Sequence, residues 1–160
     1  MSIEVIVEDV RWAEAGLERL AVRAADTALA HLGFEPKAWD ISLLGCDDAR
    51  IAALNTDFRD KPGATNVLSW PSEERSADAD GGAPMPPTDS ELGDIALAFE
   101  TCQREAAEQG KTPEQHILHL IVHGLLHLLG YDHVRDGDAD LMESLEIAIL
   151  RELGVPNPYV

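Results

Sequence analysis

Three of the chain's six histidines fall in the run H-G-L-L-H-L-L-G-Y-D-H, from His123 to His133. His123 and His127 are four residues apart, so on a helix their rings share one face and can meet a single ion. His133 lies six residues further on, beyond Gly130. A glycine there lets the chain leave the helix sharply and return His133 to the same face. Neutral imidazoles hold zinc at roughly 2.0–2.1 Å, and three of them with no fourth Cys or His nearby leave one position open. An open position is what a catalytic metal requires, since water there can reach a pKa near 7. Imidazole alone also suits nickel and copper.

The spacing H-x-x-x-H-x-x-G-x-x-H is shared with the metzincin proteases. Those proteases carry a glutamate general base directly after the first histidine, where this chain has Gly124. A zinc metallopeptidase therefore ranks behind another hydrolytic chemistry, and Gly124 is expected to leave room for a bulky substrate. Of the remaining histidines, His119 is expected to be at least half-buried and structural, with a role behind the ligands as the alternative. His116 and His31 are expected at the surface. Asp132 either orients a ligand or bonds the local backbone.

These residues need a scaffold, and the chain supplies mixed elements. Residues 3–8 and 39–44 read as strands, as do 65–70 and 94–99. Helical spacing runs over 12–32, from Asp47-Asp48 to Phe58, over 100–109, and over 138–153 with Leu141, Leu145, Ile149 and Leu153 in register. The histidine helix begins at Thr112-Pro113-Glu114-Gln115, a capping-box start with proline in the first turn, and ends at Gly130. The expected fold class is α+β, a small mixed four-stranded sheet with helices packed on it, forming a single domain over residues 1–160. Residues 72–90, rich in Ser, Asp, Gly and Pro, hold little to bury and read as a flexible surface loop.

Cys46 and Cys102 are far apart and form no C-x-x-C pair, which reads as two reduced, buried thiols. The first residues carry no secretion signal and no run is long and apolar enough to span a bilayer, so the cytoplasm is the expected compartment. A formal net charge of −18 excludes a protein that coats nucleic acid with its whole surface. Arg59 and Lys61 are two of only 12 basic residues. A guanidinium clasps phosphate oxygens well, although Asp57 and Asp60 are alternative partners for Arg59.

His123 to His133, Asn55 with Phe58-Arg59, the run Thr65-Asn66-Val67-Leu68-Ser69-Trp70-Pro71, and Leu92-Gly93-Asp94-Ile95 together resemble the YbeY family of rRNA maturation factors. The match runs in order to Leu153-Gly154, departing at residues 60–64 and in the length of 72–90. The resemblance implies a zincin-like fold and a metal-dependent endoribonuclease that cuts single-stranded RNA in 16S rRNA 3′-end maturation and in ribosome quality control. It implies one zinc per chain on His123, His127 and His133. Arg59, which follows the aromatic of the N-x-x-F-R stretch, becomes a substrate-binding or catalytic residue. The implied partners are ribosomal RNA and the small ribosomal subunit with its proteins, and no membrane. A non-catalytic assembly factor on the small subunit is a further alternative.

Overall fold

The structure is a computed structural model that describes residues 3–59 and 65–159, with the side chains of Phe58 and Arg59 outside that description. The elements run β1 (Ile3–Val7), α1 (Val10–Glu14), α2 (Leu17–His31), a short 3-10 turn at Pro36–Ala38, β2 (Asp40–Cys46), α3 (Asp48–Arg59), β3 (Val67–Pro71), β4 (Glu91–Ala98), α4 (Phe99–Glu108), α5 (Pro113–Leu128) and α6 (Asp136–Glu152). The four strands lie in the order β1-β2-β4-β3. β1 and β4 flank β2 in parallel, and β3 closes the sheet antiparallel to β4. The expected α+β class with a mixed four-stranded sheet is therefore observed.

Strand alternation divides the core. Ile41, Leu43, Ile95 and Leu97 face α2 and α5 in the main apolar cluster, together with Met142, Ile149 and Leu150 of α6. Cys46, Ala96, Ala98 and Leu68 face the other way, with Ile51 of α3. Both cysteines are free and buried, as expected, and burial raises their thiol pKa, that of Cys46 to about 12. No helix of the described residues is long and apolar enough to cross a membrane.

Away from the histidine cluster, the structure differs from the sequence reading in three places. The helix expected over 12–32 is two helices, because Gly16 adopts φ 76 between them and α1 is fixed separately by the Trp12 indole, which donates to the Cys46 carbonyl at 2.8 Å. The buried positions of α6 are Met142, Glu146, Ile149 and Leu150, so the packed stripe is rotated from the expected Leu141–Leu145 register and puts a carboxylate in the core. The segment 72–90 also holds a deeply buried group. Arg75 is 1% exposed, and its guanidinium donates to the carbonyls of Leu128 at 2.6 Å and Leu92 at 3.3 Å and to the Ser72 hydroxyl at 3.0 Å. Arg135 donates to the carbonyls of Ala77 and Asp78, and Asp138 accepts from the Gly81 amide, so the segment is tied to the start of α6. Long side chains can bury their stem and satisfy the head group on backbone carbonyls, which composition does not reveal.

Arg75 caps the last turn of the histidine helix and joins it to β4. Arg75→Ala should leave two buried carbonyls without that donor, at a cost of about 2–4 kcal/mol, and lower the melting temperature by about 5–10 °C. A scanning-calorimetry midpoint within about 2 °C of wild type would contradict the clamp.

Candidate metal centre

α5 starts where its sequence dictates. The Thr112 hydroxyl accepts from the Gln115 amide at 3.2 Å, the Gln115 side chain accepts from the Thr112 amide at 3.1 Å, and Pro113 occupies the first turn. The helix ends in a Schellman motif: the Gly130 amide bonds the His127 carbonyl and the Tyr131 amide bonds the Leu126 carbonyl, both at 3.0 Å. Gly130 takes φ 102. A Cβ there would also stand 2.5 Å from the Arg75 carbonyl oxygen, so the bend requires glycine for both reasons. The bend returns His133 to the helix face. Ring centroids are 4.7 Å apart for His123–His127, 5.1 Å for His127–His133 and 5.4 Å for His123–His133.

One ligand atom from each of the three rings lies within 4.8 Å of the others, a grouping that can hold a metal ion. The His123 and His127 Nε2 atoms are 3.1 Å apart. Two imidazole nitrogens on a tetrahedral zinc stand roughly 3.3 Å apart, from bond lengths of about 2.0–2.1 Å. His123 already directs Nδ1 at the Glu146 carboxylate at 2.8 Å, and a carboxylate only accepts, so Nδ1 carries a hydrogen and Nε2 is the nitrogen left to face an ion. Burial first, and then the neighbouring His123 and His133, push the His127 pKa down to about 4, so that ring is neutral near pH 7. Neutral nitrogens this close to one another suit a cation, and the donor set fits one divalent ion.

The three rings face a cleft of about 650 Å³. Its opposite wall is the outer strand: Val67, Ser69 and Pro71 of β3 point into it by alternation, with Thr65 and Asn66 just before. This explains the polar residues of the T-N-V-L-S-W-P run. Pro71 is tolerated because β3 is an edge strand. Asn66 is held by Glu105 of α4, which accepts from its amide at 3.0 Å and contacts His116 Nε2 at 2.9 Å.

That contact corrects the expectation for His116, which is 2% exposed and not a surface residue. Burial lowers its pKa, with Glu105 opposing. α5 is apolar around most of its circumference, so a histidine on the side turned to α4 is enclosed. His31 is exposed, as expected. His119 is half-buried and contacts Glu146 Oε2 at 2.9 Å. Asp132 uses Oδ1 to accept from the His133 amide at 2.7 Å, the local backbone role. Arg59 ends α3, but its side chain lies outside the described residues, as do residues 60–64 with Lys61.

Gly124 has a different reason from the one expected. It is buried, and a Cβ would stand 3.2 Å from Ile95 Cγ2, so glycine lets the helix lie close on β4 and opens no space for substrate. The residues the sequence reading missed are Glu146 and Tyr159. Tyr159 donates its hydroxyl to Glu146 Oε2 at 2.7 Å. A glutamate within the apolar register of α6 was the available signal, hidden by the one-residue rotation of that stripe.

The fold and the cleft define a class: an α+β protein in which a helix end and its bend present three imidazoles able to hold one metal ion. A solution structure of TM1509 from Thermotoga maritima shares the fold, with a TM-score of 0.57 at 20% identity over 95% of this chain and 91% of that one. Residues 2–154 match the family described as Endoribonuclease YbeY. A curated relative named Endoribonuclease YbeY from Ruegeria sp. (strain TM1040) is 53% identical over 100% of this chain and 97% of its own length. Another of that name from Ruegeria pomeroyi is 56% identical over 99% and 98%. This chain belongs to the Endoribonuclease YbeY family.

The contact at Gly124 is testable without metal. Gly124→Leu should destabilise by about 1–3 kcal/mol through overpacking, and the penalty should shrink in an Ile95→Ala background, read by chemical denaturation. Equal penalties in both backgrounds would contradict the close approach.

Proposed function

We propose that this chain is a metal-dependent endoribonuclease that cuts single-stranded RNA, with one zinc ion held by His123, His127 and His133. The observation that carries the reading is the convergence of three ring nitrogens, one coordination position short of a tetrahedron, on the floor of a polar cleft. The activity is supported by the names of relatives more than half identical over almost the whole chain. Bound zinc supplies Lewis-acid polarisation of a phosphoryl oxygen and lowers the pKa of water.

The protein groups divide the remaining work. His127, neutral near pH 7, keeps a lone pair for the ion. Glu146 fixes which nitrogen of His123 faces the cleft. Thr65, Asn66 and Ser69 offer hydrogen-bonding groups along one wall, suited to a sugar–phosphate backbone. Arg59 binds the phosphate and opposes charge that develops on it. An unpaired strand can bend into such a cleft, whereas a duplex is stiff and presents its grooves. We place the activity in the cytoplasm, in 16S rRNA 3′-end maturation and ribosome quality control, with the small ribosomal subunit and its proteins as partners.

Peptide hydrolysis is less well supported. It needs a general base beside the first ligand, and the backbone at Gly124 is pressed against Ile95 where that side chain would have to project.

Zinc-loaded wild type should cleave a labelled single-stranded RNA and leave the matching duplex and an unstructured peptide intact. His127→Ala should lose at least about 100-fold in rate, and Arg59→Ala about 100- to 1000-fold. Undiminished cleavage by His127→Ala, or peptide cleavage with RNA untouched, contradicts the proposal. An absence of cleavage of any pure substrate by the loaded protein favours an assembly factor.

A further inference from the structure

Glu146 belongs to α6, is 1% exposed, and accepts from three side chains. Its Oε1 faces His123 Nδ1 at 2.8 Å, and its Oε2 faces His119 Nε2 at 2.9 Å and the Tyr159 hydroxyl at 2.7 Å. A buried carboxylate is costly unless each lone pair is answered, and here donors from two other parts of the chain answer it. The bonds from His119, His123 and Tyr159 offset the cost of that burial. Tyr159 in turn has its pKa raised by burial and by the carboxylate it serves.

The geometry fixes both histidine tautomers. Since the carboxylate only accepts, His123 must carry hydrogen on Nδ1 and His119 on Nε2. The His119 Nδ1 is buried with no partner, which accords with a neutral ring whose only hydrogen is spent on Glu146. The His119 ring stands edge-on to Tyr159 at 5.8 Å between centroids. Tyr159 lies five residues past Gly154, the last residue that the family model matches.

We propose that Glu146 is a positioning residue for the metal centre, locking the ring and tautomer of His123, and that the chain's C-terminal tail secures it through the Tyr159 hydroxyl. This rests on the metal reading of the proposed function. A ligand histidine whose second nitrogen is held by a carboxylate presents its lone pair in one direction and is more basic. A carboxylate held by one histidine alone could swing within its pocket; His119 and Tyr159 pin the oxygen that His123 does not use. The tail thereby reaches the metal centre without touching it.

The test compares wild type, Glu146→Gln and Tyr159→Phe by zinc affinity, measured against a competing chelator, and by imidazole tautomers in long-range proton–nitrogen spectra of the metal-free protein at pH 8. Wild type should show His123 as the Nδ1–H form and His119 as the Nε2–H form. Glu146→Gln, which has one acceptor in place of two, should change the tautomer of at least one of these histidines and weaken zinc binding about 10- to 100-fold. Tyr159→Phe should keep the tautomers and weaken binding by about three- to tenfold, while the metal-free melting temperature falls by no more than about 4 °C. If Glu146→Gln fails to fold, the wild-type tautomers and Tyr159→Phe still decide. A His123 found as the Nε2–H form, or variants that bind zinc as tightly as wild type, overturn the inference alone. A second zinc equivalent bound by wild type and absent from Glu146→Gln also overturns it, since the carboxylate would then be a ligand. Wild type that takes up no divalent metal overturns the metal reading and this inference with it.

Discussion

An imidazole lone pair points in one direction in the plane of its ring, so three of them can serve one ion only if three rings are held in three particular orientations. Helical spacing supplies the first pair, since His123 and His127 stand one above the other on α5. A left-handed residue supplies the third, because only a glycine at φ 102 turns the chain tightly enough after Leu129 to bring His133 back. Neither device orients the rings by itself. Glu146 does that for His123, and Arg75 holds the helix end against β4 so that the bend keeps its place.

The same constraint explains why so much of the surrounding polar chemistry is buried. α5 passes close over the sheet at Gly124 and carries four histidines, three of them answered by a carboxylate from a neighbouring helix: His116 by Glu105 of α4, and both His119 and His123 by Glu146 of α6. Such bonds between helices fix the roll of α5 more tightly than apolar contacts, which tolerate sliding. Glu105 also holds Asn66, so the wall of the cleft and the helix that floors it are referred to one side chain. For the proposed substrate this rigidity has a purpose. A chain with a formal charge of −18 repels a polyanion at long range, and attraction has to come from cationic groups within a Debye length, about 8 Å at physiological salt. In the proposed reading these are the ion itself and Arg59.

Much of the site could be read from residue types and spacing. The capping box, the i, i+4 histidines and the glycine after them each have one economical structural meaning, and the structure brings the three rings together on that basis. The T-N-V-L-S-W-P run likewise reads as a short strand, which β3 is, and its polar residues Thr65, Asn66 and Ser69 line the cleft. What escaped was long-range. Nothing near Arg75 in sequence indicates that its guanidinium reaches the carbonyl of Leu128, and a segment rich in Ser, Asp and Gly conceals a buried cation. Glu146 escaped because i+4 spacing on α6 fits two adjacent stripes, and the apolar one containing Leu141 and Leu145 was the better match to a core. Gly124 was read as open space because a missing side chain looks like room until the facing Ile95 is known.

X-ray absorption at the zinc edge, on protein loaded with one equivalent of zinc, tests the centre most directly. The account predicts three imidazole nitrogens at about 2.0–2.1 Å and one further light oxygen scatterer. The protein ligand set should shrink to two imidazoles in His133→Ala. A first shell containing sulfur at about 2.3 Å, a fourth imidazole, or a spectrum unchanged by His133→Ala would contradict it.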